Sequence, residues 1–251
     1  MKVAVAGKGG VGKTTLSSVL IRMLVQRGYK VYAVDADPDA SLGITLGIPE
    51  AQLDDVIPLV DLKDVIKEKM GDGALYSLNP KMGDVLDKYG LDVEDNITFI
   101  TMGGIKEGGS ACYCRENTFL HGVMDALILD KKEAVVLDMG AGIEHLTRGT
   151  ARGVDIMIIV TEPSRTSVKS VRVITRLAEQ LGIKRIKVIA NKIRNEIDKT
   201  FIEDNIPSDQ LLGMVNYKDD IARLSQQGKA IEGDGAREMQ TILAPIIEDI
   251  G

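Results

Sequence analysis

Short, almost wholly apolar runs alternate along this chain with stretches whose apolar residues recur every three or four positions. The runs are Val3–Ala6, Lys30–Val34, Ile97–Thr101, Ala134–Asp138, Ile156–Thr161, Ile186–Ala190 and Leu211–Val215. Runs of this length without polar alternation fit strands buried on both faces of a sheet. The helical spacing is clearest over Leu16–Arg27, where Leu16, Val19, Leu20, Met23 and Leu24 share one face and Gly28 ends the pattern. It returns over Leu59–Lys69, over Phe119–Leu127, over Arg165–Leu181 and over Ala236–Ile250, with a short helix at Ser41–Ile48. Strand and helix in alternation predict an α/β fold, a mostly parallel central sheet with helices on both faces. At 251 residues one domain spanning 1–251 is expected. Within it, positions 49–96 read as an insertion over the core: Gly71–Asn96 is rich in Gly, Asp and Pro and holds one predicted strand, Ala74–Leu78.

Composition narrows the function more than the fold. The formal net charge is −6, which gives no general attraction to nucleic acid or anionic lipid. Aromatics are 4% with no Trp, against a stacking platform for single strands. No apolar run approaches the roughly 18 residues of a membrane span. The first apolar run leads straight into the chain's most informative loop, so a cleaved leader would destroy it, and a cytoplasmic protein without nucleic-acid or membrane partners is expected.

That loop is Gly7-Lys8-Gly9-Gly10-Val11-Gly12-Lys13-Thr14-Thr15. A strand before it and a helix after it are the context in which a P-loop pattern carries chemistry. Glycines let backbone N–H groups turn inward around a phosphate, and the helix opening near Thr14 directs its unpaired N–H groups and dipole at the same anion. Lys13 supplies a cation to the β- and γ-phosphates, and the Thr14 hydroxyl is placed to ligate Mg²⁺. The nucleotide-binding candidates are thus Gly9, Gly10, Val11, Gly12, Lys13, Thr14 and Thr15. Asp35-Ala36-Asp37-Pro38-Asp39 follows the second strand, and ligands in such sheets sit beyond the carboxyl ends of strands. Asp138 closes another apolar run, before Met139-Gly140-Ala141-Gly142, and is a second Mg²⁺ candidate.

Lys8 is one lysine more than an ordinary P-loop needs. With Gly-Gly-Val-Gly-Lys13-Thr14 behind it, the loop resembles the deviant Walker A loop of the ParA/MinD and nitrogenase iron protein superfamily. The resemblance implies an ATP- and Mg²⁺-dependent homodimer in which Lys8 reaches the partner subunit's phosphates, as an arginine finger does elsewhere. It also implies that Asp37-Pro38 is the first switch, with Asp37 orienting the attacking water near Mg²⁺. Asp138 then lies on the Walker B strand, and Asn191, beside Lys192, reads the adenine edge. On this reading Lys8, Lys13 and Asp37 carry catalysis, and Thr14, Asp37 and Asp138 serve magnesium.

Cys112 and Cys114 are the only cysteines. They are too close for an unstrained disulfide, and they precede a helix and neighbour Arg115, both of which favour thiolate. Thiolate pairs suit soft or borderline metals, and a twofold axis would assemble four sulfurs fit for zinc, Ni(II) or an iron–sulfur cluster. The segment Gly109-Ser110-Ala111-Cys112-Tyr113-Cys114-Arg115-Glu116-Asn117, with Asp138-Met-Gly-Ala-Gly-Ile-Glu144-His145, resembles the maturation ATPases that deliver nickel to carbon monoxide dehydrogenase or acetyl-CoA synthase. That family implies Ni²⁺ held at the paired Cys-x-Cys motif, with Zn²⁺ able to substitute, and such an enzyme as client. A redox ATPase like the nitrogenase iron protein and a partition or positioning ATPase are the alternatives. The first has cysteines on two separate loops, and the second wants a basic tail that the acidic C-terminus here lacks.

Overall fold

The computed structural model describes residues 1–37, 39–70, 85–94, 96–103, 119–120, 122–123, 132–140, 153–231 and 233–248. Among these described residues eight strands form one sheet: β1 (Lys2–Gly7), β2 (Lys30–Ala36), β3 (Leu91–Glu94), β4 (Ile97–Thr101), β5 (Glu133–Met139), β6 (Ile156–Thr161), β7 (Ile186–Ile193) and β8 (Leu211–Asn216). Their order is β3-β4-β2-β5-β1-β6-β7-β8. All pairs are parallel except β3 with β4, which run antiparallel at one edge.

The apolar runs are strands because both sheet faces are covered. Val3, Val5, Val31, Val136 and Ile158 point into one core, and Ala4, Val34, Leu137, Met157 and Ile159 into the other. Helix α1 (Lys13–Gln26) buries Leu16, Val19, Leu20, Met23 and Leu24 on the first side, joined there by the last helix (Asp234–Glu248) through Met239 and Leu243. The helix Arg165–Gln180 buries Val168, Val171, Ile174 and Ala178 on the second. Phe119, Leu120 and Val123 are buried in the same core.

Several boundaries differ from the periodicity. The expected helix at 59–69 is a single 3-10 turn, Leu59–Asp61, followed by a separate helix, Lys63–Met70. The Val60 N–H donates to Met102 O, 3.2 Å away beyond the end of β4, and Leu62 leaves the helical region at ψ 57°. The short helix expected over 41–48 covers only Leu42–Thr45, and Gly47 turns the chain out at φ 83°. Strand β3 and the helices Glu50–Leu53, Val85–Tyr89, Glu196–Asn205 and Asp219–Gln226 were not signalled by the apolar pattern. The expected strand at 74–78 lies outside the described residues.

Candidate functional site: a phosphate cleft at the carboxyl ends of the strands

Strand β1 lies between β5 and β6, and the chain's excursions leave it in both directions. A crevice at such a reversal is where open α/β sheets take their ligands. The loop leaving β1 lines a cleft of about 240 Å³ with Gly9, Gly10, Gly12, Lys13, Thr14, Thr15, Asp37, Asp39 and Ser41. Gly12 is the residue before α1, at φ 98°, a left-handed conformation that glycine adopts without Cβ strain. No side chain caps α1 and its first turn carries no acid, whereas Ser164 and Asn195 cap the helices that follow them. The leading N–H groups of α1 therefore remain available to an anion.

Around this cradle the expected residues converge. Lys13 is buried, and its Nζ lies 3.8 Å from Asp37 Oδ2. The Thr14 hydroxyl sits 3.3 Å from that of Ser41. Asp138, wholly buried, accepts a 2.9 Å hydrogen bond at Oδ1 from Ser17, one turn beyond Thr14 on α1. Its Oδ2 is buried without a hydrogen-bond partner. Both Thr14 and Ser17 favour the charged form of Asp138, yet only Ser17 makes a hydrogen bond of full geometry. An orphaned buried carboxylate oxygen beside a threonine hydroxyl and triphosphate-binding groups fits Mg²⁺, whose ligands are hard oxygens. Asp138 and the Thr14 hydroxyl would hold the cation, which would supply neutralising charge to a bound phosphate.

Asp35 is tied into the backbone around it. It is fully buried, and its two oxygens accept from Asp37 N–H at 3.1 Å and Leu42 N–H at 2.8 Å. It therefore braces the loop that carries Asp37 and is not a free Mg²⁺ ligand. Asp35 and Asp138 are register partners across β2 and β5, so two carboxylates face each other in the core. Burial pushes Asp35 up to about 7, against the lowering by the Leu42 N–H. Burial likewise pushes Asp138 up to about 6, opposed by Thr14, Ser17 and Lys13. Raised native values mean that stability from these groups is complete below the ordinary carboxylate range and is lost as pH rises through 6 and 7. Calorimetry of nucleotide-free protein between pH 4.5 and 8 should show the melting temperature falling across that interval. Saturating Mg-ADP should flatten the fall, because a cation held at Asp138 would offset its charge.

Asn191, expected at the adenine edge, and Lys192 both reach the P-loop. The Asn191 amide is buried against the P-loop, donating to Val11 O at 2.8 Å, while its Oδ1 accepts from Lys192 N–H at 2.8 Å. One N–H and one lone pair of the amide remain for a ligand. Lys8 Nζ is turned out of the cleft onto the Thr166 hydroxyl, 3.0 Å away at the start of the Arg165–Gln180 helix. Ser17 and Ser41 were not singled out from the sequence. Ser17 was findable, since a hydroxyl one turn after Thr14 lies on the same helix face. Cys112, Cys114 and Pro38 lie outside the described residues.

Residues 2–231 match the model of the CobQ/CobB/MinD/ParA nucleotide-binding domain. The chain belongs to this family. It is 40% identical to an uncharacterised ATP-binding protein of Methanocaldococcus jannaschii over 99% of its own length and 98% of the relative's. It is 38% identical to the carbon monoxide dehydrogenase accessory protein CooC of Rhodospirillum rubrum, over 91% of this chain and 88% of that one. The fold matches MinD of Pyrococcus horikoshii in complex with Mg-ADP at a TM-score of 0.68 and 20% identity, covering 100% and 98% of the two chains. It also matches a plasmid partition protein of Borrelia burgdorferi bound to AMPPNP at 0.72 and 18%, covering 99% and 98%. This family member is a nucleotide-binding ATPase. No helix among its described residues is long and apolar enough to cross a membrane.

Proposed function

We propose that the protein is a homodimeric ATPase that carries Ni²⁺ at a thiolate site shared between subunits and assists its insertion into carbon monoxide dehydrogenase or acetyl-CoA synthase. What carries the reading is 38% identity, over 91% of this chain, to a carbon monoxide dehydrogenase accessory protein, in a chain whose only cysteines form Cys112-x-Cys114. Two thiolates from each subunit give a four-sulfur site that also accepts Zn²⁺. Lys8 completes the partner's phosphate site after leaving Thr166. Lys13 and Asp37, paired with each other in the described cleft, separate when triphosphate takes the lysine, and Asp37 is then free to orient the attacking water. Asn191 contributes its remaining amide valences to the adenine edge. The two solved structures, at 18% and 20% identity, speak for the fold alone.

The test is anaerobic Ni²⁺ titration of metal-free protein with and without ATP, with mass followed by sedimentation. One Ni²⁺ per dimer is expected, with thiolate charge-transfer absorption. Cys112→Ala combined with Cys114→Ala should abolish both while ATP binding persists. Uptake of an iron–sulfur cluster in place of nickel sinks the delivery role in favour of a redox ATPase. Binding of no metal removes the metal function entirely.

A further inference from the structure

Strand β7 loses its regular pairing with β8 where it passes the phosphate loop. Ala190 is opposite Met214 and Ile193 opposite Asn216, so three steps on β7 face two on β8. The extra residue is accommodated at Asn191-Lys192, and Lys192 takes φ 62°, a left-handed conformation uncommon outside glycine. Bulges beside active sites re-aim side chains. Here both side chains are turned onto carbonyls of the P-loop. Asn191 Nδ2 donates to Val11 O at 2.8 Å, and Lys192 Nζ donates to Gly10 O at 2.5 Å. Glu162, just past β6, holds the same ammonium at 3.7 Å. A Cβ on Gly12 would strike the Asn191 amide, so loop and bulge are in close contact as well as hydrogen-bonded.

We infer that Lys192, with Asn191, is a positioning residue for the phosphate loop, independent of any contact with the base. A carbonyl held outward fixes its peptide plane, and the N–H groups that follow are then presented inward to the anion. Lys192 acts on the triphosphate through Gly10, Asn191 through Val11, and Glu162 orients the lysine.

The experiment compares Mg²⁺ complexes of a non-hydrolysable ATP analogue and of inorganic triphosphate, which has no base, by calorimetric titration of the full chain. Lys192→Met should weaken both ligands by the same factor, about tenfold for one charge-assisted hydrogen bond. In turnover KM for ATP should rise while kcat changes little, and Lys192→Arg should restore most of the affinity. Glu162→Gln, which leaves the lysine in place but unoriented, should weaken both ligands equally and less severely. It serves as the deciding variant if Lys192→Met does not fold. Loss of affinity for the ATP analogue with triphosphate unchanged overturns the inference in favour of a base contact. Unchanged affinity for both ligands overturns it as well.

Discussion

Replacing Gly12 with alanine should lower ATP affinity about a hundredfold, the sum of a left-handed alanine and a broken buried hydrogen bond. The two costs come from separate observations. At φ 98° an L side chain is strained wherever it points. The new Cβ would also occupy the space of the Asn191 amide, which must leave Val11 O to make room. The loop then loses its curvature and its brace together. Gly9→Ala is the control, because a Cβ there meets nothing within 4 Å and the φ is ordinary. Its affinity should fall less than tenfold. Titration of both variants with Mg-ATP decides the matter: equal losses would mean that any added methyl disturbs the loop, and that the contact with β7 is irrelevant.

The Gly12–Asn191 contact also marks where the sequence stops being legible. The P-loop could be read because its glycines, lysine and hydroxyl are adjacent and each does its work locally. The central strands could be read because burial on both faces removes polar alternation from Val3–Ala6 or Ile156–Thr161. Edge strand β3 could not: Leu-Asp-Val-Glu is four residues, half of them charged, and it becomes a strand only by pairing with β4. The split at Leu62 depends on a bond between Val60 and Met102, distant in sequence. The helix Glu196–Asn205 had a local signal that the apolar pattern did not use, since Asn195 caps Asp198 N–H at 3.0 Å. The bulge at Asn191-Lys192 had none. Its position is set by pairing with β8 and by carbonyls some 180 residues away, as the sequence separations of these bonds show. The sequence therefore pointed to Asn191 and Lys192, but could not show that they grip the phosphate loop.

Asp138→Asn should reduce Mg²⁺-dependent ATP hydrolysis by roughly a hundredfold or more while making the nucleotide-free protein more stable at alkaline pH. Activity falls because the orphaned Oδ2 that would face the cation becomes a neutral amide atom. The stability argument has the opposite sign. Burial raises Asp138 from 3.8 to about 6, so keeping it ionised in the folded chain above pH 6 costs on the order of 3 kcal/mol. Asparagine keeps the shape and can retain the Ser17 hydrogen bond without that charge. At pH 5 the wild-type carboxyl is largely protonated in the fold, and much of the advantage disappears. The difference in melting temperature between variant and wild type should therefore grow by a few degrees from pH 5 to pH 8. Because the same substitution is compared with itself, any fixed packing cost of the amide cancels. A difference that stays constant across this range would mean that the Asp138 charge is not a stored cost, and that a divalent cation gains nothing from relieving it. A growing difference, together with lost hydrolysis, identifies the buried carboxylate as a site whose instability is kept for the metal.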